Sequence, residues 1–317
     1  SSAGRRTGDG GMGEGGVGGR KRFDPFFNER GLRSGWRAVL WLLVAVLLNA
    51  LFVAALKPFA AGGETAGFAA MALAATLAGW LLLAMQGRRI GALGWALDPA
   101  AAGQSALSFA AGGVLILLAV AVLAVAGSVR WVAAPGTMAE YAASLARMLA
   151  FYTVAAAAEE ALFRGYGFQA LAEGTGPWIA TAVMSLFFAL AHGDNPDFGG
   201  VALANIFLAG VLLSLLYLRT RSLWTVTALH LGWNWTMSAL HFPVSGLAEA
   251  MPAFAVVPRG PAWWTGAGFG PEAGLPATLV LLLGIAWTVR TRRLGESPRM
   301  RELAPLVDAR LGPEWPR

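Results

Sequence analysis

Between Ala155 and Gln169 the chain reads AAAAEEALFRGYGFQ, an apolar helix-forming run that carries two adjacent carboxylates and an arginine: Glu159, Glu160 and Arg164. An ionisable side chain at mid-bilayer costs roughly 2.5–3.5 kcal/mol on insertion scales, so such groups turn toward a protein interior and mark function. On a helix, Glu160 and Arg164 stand four apart on one face with the glutamate N-terminal, the favourable order for an ion pair. Glu159 is rotated by about 100° from Glu160 and has no partner in its own helix. That division makes Glu159 the reactive carboxylate and Glu160 with Arg164 the structural pair. The competing reading is a buried polar clasp in which all three side chains only hold helices together.

The chain has three histidines, and two of them, His192 and His230, fall in apolar runs. His192 closes SLFFALAH, four residues after Phe188, and His230 opens HLGWN, four residues before Asn234. A lone histidine on an apolar helix ordinarily makes an interhelical hydrogen bond. Here the strong polar groups within apolar runs are few, with Asn205 a weaker member, and nearly all come from three helices. A shared site is the better reading. A carboxylate with an imidazole can polarise a water by general-base catalysis. A second imidazole beside a carboxamide offers donors to a developing oxyanion. Together they suit hydrolysis of an amide bond by activated water. Glu159, His192 and His230 also compose a zinc set with water as fourth ligand, although no H-E-x-x-H helix is present. No G-x-S-x-G elbow occurs, and the lack of cysteine excludes thiolate nucleophiles, disulfides and cysteine metal sites.

The elements that position these groups follow from composition. The 317 residues are 56% hydrophobic and 13% charged, against about 25% charged in a soluble domain. The expectation is an all-α fold, a polytopic membrane helical bundle with about eight transmembrane helices. Taking about 20 apolar residues per span, they lie at 38–56, 66–85, 105–126, 144–169, 177–192, 201–218, 223–240 and 275–289. Residues 1–37 form a glycine-rich, basic tail expected to be disordered, residues 38–293 the working domain, and 294–317 a solvated C-terminal tail. Arg20, Lys21, Arg22, Arg30, Arg33 and Arg37 precede the first run and mark an uncleaved first span. Arg88, Arg89, Arg219, Arg221, Arg290, Arg292 and Arg293 fall on the same side; the other side holds Lys57, Arg130 and Arg259, with Arg147 at a span edge. Both termini are therefore expected in the cytoplasm. The net charge of +6 is accounted for by this flanking pattern, so the partners are the lipid bilayer and a peptide or membrane-protein substrate, with no nucleic acid.

Two connections stand out. GALGWALDP from Gly91 reads as a short interfacial turn anchored by Trp95. The connection 241–274 is rich in proline, glycine and tryptophan and reads either as a lid or as a loop with its tryptophans at headgroup level.

EEALFRG from Glu159, FALAH from Phe188 and HLGWN from His230 resemble the E-E-x-x-x-R, F-x-x-x-H and H-x-x-x-N motifs of the CPBP family, the CAAX prenyl protease and bacteriocin-processing (Abi) intramembrane endopeptidases. The motifs occur in the family's order, and TGAGFGPEAGL also resembles the segment before the last helix in bacterial members. The resemblance covers roughly residues 144–240. It implies that Glu159 activates water with His192, that His230 and Asn234 stabilise the oxyanion, and that Glu160, Arg164 and Phe188 support the site. No metal is favoured, because His230 pairs naturally with Asn234; a zinc ion would take Glu159, His192 and His230. The alanine-, glycine- and arginine-rich composition resembles a bacterium of high genomic GC content, so the expected location is the bacterial cytoplasmic (inner) membrane. The alternative function is a non-enzymatic immunity or scaffold protein with a structural polar cluster; a transporter using Glu159 as proton carrier is a third. For a common site, the helix carrying His192 must continue past Gly193, tilt, or be displaced toward the cytoplasm.

Overall fold

The computed structural model describes residues 24–28, 31–56, 63–249 and 251–309. The expected disorder of residues 1–23, the flanking Arg20, Lys21, Arg22 and Arg30, the connector Lys57 and the last eight residues lie outside them. Two units are separable. In the first, up to Arg33, strands β1 (Phe27–Asn28) and β2 (Gly31–Leu32) pair antiparallel, and the Asp24 carboxylate accepts from the backbone N–H groups of Phe26 and Phe27.

The second unit, Ser34–Arg317, is helical. Its helices are α1 (Ser34–Leu56), α2 (Glu64–Met85), α3 (Pro99–Val125), α4 (Met138–Phe163), α5 (Tyr166–Thr175), α6 (Pro177–Leu190), α7 (Gly200–Thr220), α8 (Leu223–Ala239), α9 (Ala262–Thr265), α10 (Leu275–Arg290) and α11 (Pro298–Leu303). Among the described residues, five helical runs are long and apolar enough to cross a membrane, and α6 and α10 are shorter apolar helices. The chain is an all-α polytopic membrane bundle, and a helix stands at each of the eight expected positions.

The helix boundaries have local causes. Asp98 caps α3 by accepting from the Ala100 N–H, with Pro99 in the first turn, which starts the helix six residues before the expected span. Thr137 and Glu140 close a capping box at the start of α4. The single run expected at 144–169 breaks into α4 and α5 at Gly165, whose ψ of −143° is non-helical and brings its Cα so close to the preceding turn that a Cβ would lie 2.1 Å from the Ala161 carbonyl oxygen. The helix ends on Arg164, whose side chain is thereby free to fold back into the bundle.

Helices α3 and α8 are the most closely joined pair. Glycine makes this possible: a Cβ on Gly112 would sit 2.1 Å from the Leu229 carbonyl oxygen, and one on Gly232 2.1 Å from that of Phe109. Small residues let helix backbones approach where lipid supplies no hydrophobic drive. Helix α8, which carries HLGWN, is thus held against α3 by backbone contact.

The connections between the expected spans are built into the bundle. Residues Ile90–Leu93 form a 3-10 turn with Ala92 and Leu93 buried, fastened by Gln169, whose amide donates to both carbonyls. The connection after α8 supplies strand β4 (Phe254–Pro258), antiparallel to β3 (Val129–Ala133) in the α3–α4 connection. Beyond it, Trp264 donates to Ser128, Phe269 is fully buried, and the Phe269 carbonyl accepts from the Gly246 N–H. This segment is a packed cap, while Trp263 alone of its paired tryptophans is largely exposed. The C-terminal segment, expected to be solvated, is docked instead. Met300, Leu303, Leu306 and Val307 are buried, Gln169 accepts from the Leu306 N–H and Asp308 pairs with Arg221 at 2.7 Å. Met300 and Leu303 lie on α11 and Leu306 and Val307 in the separate turn after it, so no single helical stripe marks the segment in the sequence.

Substituting Gly232→Ala inserts a methyl where no backbone can yield, an overpacking cost of about 1–3 kcal/mol. Thermal unfolding in detergent is expected to show a lower Tm for Gly232→Ala and for Gly112→Ala than for an alanine at Gly103, where a Cβ meets open space.

Candidate active site

The last turns of α4 place the two adjacent glutamates in different surroundings. The Glu160 side chain is fully buried, as is that of Arg164, and they pair at 3.2 Å. Arg164 also donates to the Gly210 carbonyl at 3.0 Å and to Ser214 on α7, and its guanidinium lies 4.6 Å from the centre of the Phe188 ring. The fork of donors that a guanidinium carries is met from α4 and α7, with the α6 aromatic covering its face.

Phe188 is the spacer around which the histidines are set. Its ring centre lies 4.9 Å from that of His192 and 6.0 Å from that of His230, edge-on to both. The Phe188 carbonyl is 2.8 Å from His192 Nδ1. A carbonyl only accepts, so Nδ1 carries the proton and the Nε2 lone pair is presented elsewhere. On α8, His230 Nδ1 lies 2.8 Å from Glu160, and its Nε2 is 3.8 Å from Glu159. The sequence pairs His230 with Asn234, four residues away; the structure turns Nδ1 to Glu160. The buried carboxylate, already fixed by Arg164, is the stronger acceptor, and it comes from another helix that spacing cannot reveal.

Glu159, His192, His230 and Asn234 line one cavity of ≈ 270 Å³, with Phe68 and Met71 of α2 and Phe151 of α4 on its apolar wall. His192, His230 and Asn234 also face a second, smaller cavity of ≈ 40 Å³. The depth conflict in the sequence is resolved by α6, which is only 14 residues long. That is about 21 Å of helix, and the turn after it puts His192 on the same cavity as Glu159 and His230. Among the described residues, no three His, Cys, Asp or Glu side chains are arranged to hold a metal ion.

Asn205, read as a weaker member of the polar set, serves the cap: it donates to the carbonyls of Glu272 and Gly274. Glu272 escaped the sequence reading. It is buried, lines the smaller cavity, and accepts from Trp233 Nε1 at 3.1 Å and from Ser245 Oγ at 2.7 Å. The signal was present, since Glu272 is the only charged residue between Arg259 and Arg290.

A carboxylate, two imidazoles and a carboxamide around one cavity of a membrane bundle are what the intramembrane peptidases, as a class, would need. Residues 141–236, under a third of the chain, match the family model for the type II CAAX prenyl endopeptidase Rce1-like proteins. That match puts the motif-bearing segment in the CPBP family and supports peptidase chemistry for it. No curated protein matches the chain.

Removing Glu160 leaves the Arg164 guanidinium buried without its counterion, which costs about 3–5 kcal/mol. Glu159, partly exposed to the cavity, has no such dependent. Thermal unfolding is expected to show Glu160→Ala strongly destabilised and Glu159→Ala within about 1 kcal/mol of wild type; equal losses would overturn the assignment of the two carboxylates to different roles.

Proposed function

We propose that this protein hydrolyses peptide bonds of membrane-associated or lipidated proteins or peptides with a water activated by Glu159 and His192. The observation that carries the reading is the meeting of Glu159, His192, His230 and Asn234, from α4, the turn after α6, and α8, around one cavity. The water lies between the Glu159 carboxylate and the Nε2 lone pair of His192. Glu159 takes its proton as the oxygen adds to the scissile carbonyl carbon. The carbonyl oxygen becomes an oxyanion that accepts from the Asn234 amide and from His230 Nε2. His230 donates there in its doubly protonated form, its charge balanced by Glu159 and Glu160, which flank its two nitrogens. Glu159 then returns the proton to the leaving nitrogen as the C–N bond breaks, so one water is consumed and no net proton is taken up.

No metal is required by this scheme. The wall of Phe68, Met71 and Phe151 suits an apolar segment or chain beside the scissile bond. With the arginine-rich connections in the cytoplasm of a bacterial inner membrane, both termini lie there too. The cavity then reaches Glu64, at the start of α2, and Leu247, beyond α8, on the opposite side.

The test is cleavage of a quenched peptide library, with and without a farnesyl group, by protein purified in detergent and cleared of metal. General-base catalysis contributes about 10²- to 10⁴-fold, so Glu159→Gln is expected to lose at least a hundredfold in kcat while retaining its Tm. Full cleavage by a well-folded Glu159→Gln would overturn the mechanism. A wild type that cleaves nothing, with both partner binding and Tm lowered by Glu159→Gln, would favour the scaffold reading.

A further inference from the structure

We propose that Glu272 is a positioning residue for the hydrolytic site, clamping the turn that carries His192 to the helix that carries Asn234. The inference rests on the hydrolase reading for its effect on rate, but the clamp itself is a matter of geometry.

Glu272 lies outside the segment that matches the family model. It sits in the short 3-10 turn Pro271–Ala273 immediately before α10, and it is 4% exposed. Its backbone is fixed independently of its carboxylate, because Asn205 on α7 holds the carbonyls of Glu272 and Gly274 at 2.8 and 2.9 Å. Asn205 is itself oriented by Thr278, whose hydroxyl donates to it at 2.7 Å. A carboxylate presented from so rigid a mount can act as a fixed reference for whatever donates to it.

Two donors matter. One carboxylate oxygen accepts from Trp233 Nε1, and Trp233 is the residue before Asn234 on α8. The other accepts from both the N–H and the hydroxyl of Ser245. The Ser245 carbonyl in turn accepts from the Asn195 amide at 2.7 Å, and the Asn195 N–H donates to the His192 carbonyl at 3.1 Å. A continuous hydrogen-bonded path therefore runs from Asn234's neighbour through Glu272 to the backbone of His192. The need for such a path is physical. His192 lies just beyond the end of α6, tied back to it by its N–H on the Ala189 carbonyl and by its Nδ1 on the Phe188 carbonyl, while the turn that follows leaves the helix. A side chain that must place a water against Glu159 gains from a second tie on the far side of that turn, since a misplacement of about 1 Å can cost a hundredfold in rate. Glu272 also shares the smaller cavity with His192, His230 and Asn234, which Glu159 does not line.

The experiment uses the full chain in detergent, with Glu272→Gln as the main variant and Ser245→Ala as a second. Gln keeps the size of the side chain but replaces one acceptor oxygen by a donor. With three histidines in the chain, selective ¹⁵N labelling gives a small set of imidazole signals that His→Gln variants assign. Glu272→Gln is expected to shift the His192 signals and leave those of His241 in place. On the best peptide found in the cleavage assay, kcat is expected to fall at least tenfold with KM within twofold. A purely structural Glu272 would lower Tm while leaving the His192 signals and kcat of the folded fraction unchanged, and that result overturns the proposal. If Glu272→Gln does not fold, Ser245→Ala is judged by the same two readouts, an unchanged His192 signal counting against the clamp. A wild type without peptidase activity whose His192 signals still respond to Glu272→Gln would sink the hydrolase reading and leave the clamp standing.

Discussion

The bundle is organised by one buried ion pair, Glu160 with Arg164, which has no exposed side-chain surface on either partner. Taking two charges out of water is repaid only when the geometry is good and the remaining donors are met. The requirement recruits neighbours. Gly210 and Ser214 bring α7, Phe188 brings α6, and His230 brings α8 to the carboxylate. Glycine at position 165 ends α4 at the point where Arg164 can fold back to its partner. The pair is thus less a source of stability than a specification of which helices meet, and at what level.

What is built on that specification depends on helix lengths that do not match the bilayer. Helix α6 stops after Leu190 and α10 begins at Leu275, leaving non-helical backbone at both places. Irregular backbone at membrane depth is tolerated where it is covered by protein or lines a cavity. Here the two irregular segments cover each other: Asn195 donates to the Ser245 carbonyl, Gly246 to that of Phe269, and Asn205 to those of Glu272 and Gly274. Gly246, Gly266 and Gly270 adopt positive φ in this region, where close backbone approach leaves no room for a side chain. The cap is therefore a consequence of stopping helices inside the bundle, and the cavity is the space those stops create.

The parts of this arrangement legible in the sequence are those that a single helix encodes. Four-residue spacing identifies Glu160 with Arg164 and sets Glu159 apart, and hydropathy places a helix at every expected position. Contacts between helices are not encoded that way. His230 is four residues from Asn234, yet its Nδ1 goes to Glu160 on α4. The strands Val129–Ala133 and Phe254–Pro258 are more than a hundred residues apart in the chain and too short to announce themselves by alternation. Glu272 is conspicuous by charge, but its relevance appears only when Trp233 and Ser245 are seen to converge on it. The docked C-terminal segment was hidden by its polar composition, since its few apolar residues are what is buried.

The adjacency of Glu159 and Glu160 then has a physical explanation. Two carboxylates that faced the same cavity would repel each other, and one would be held protonated. A rotation of about 100° between neighbours on a helix sends one to a permanent counterion and the other to the cavity. Glu160, fixed by Arg164, orients His230 through Nδ1; Glu159, 3.8 Å from Nε2 of the same ring, has no guanidinium of its own. A carboxylate locked by a guanidinium is committed to that pair, whereas one beside an imidazole and an open cavity is left accessible. A helix that needs both a brace and a base can place them next to each other, because its geometry separates them.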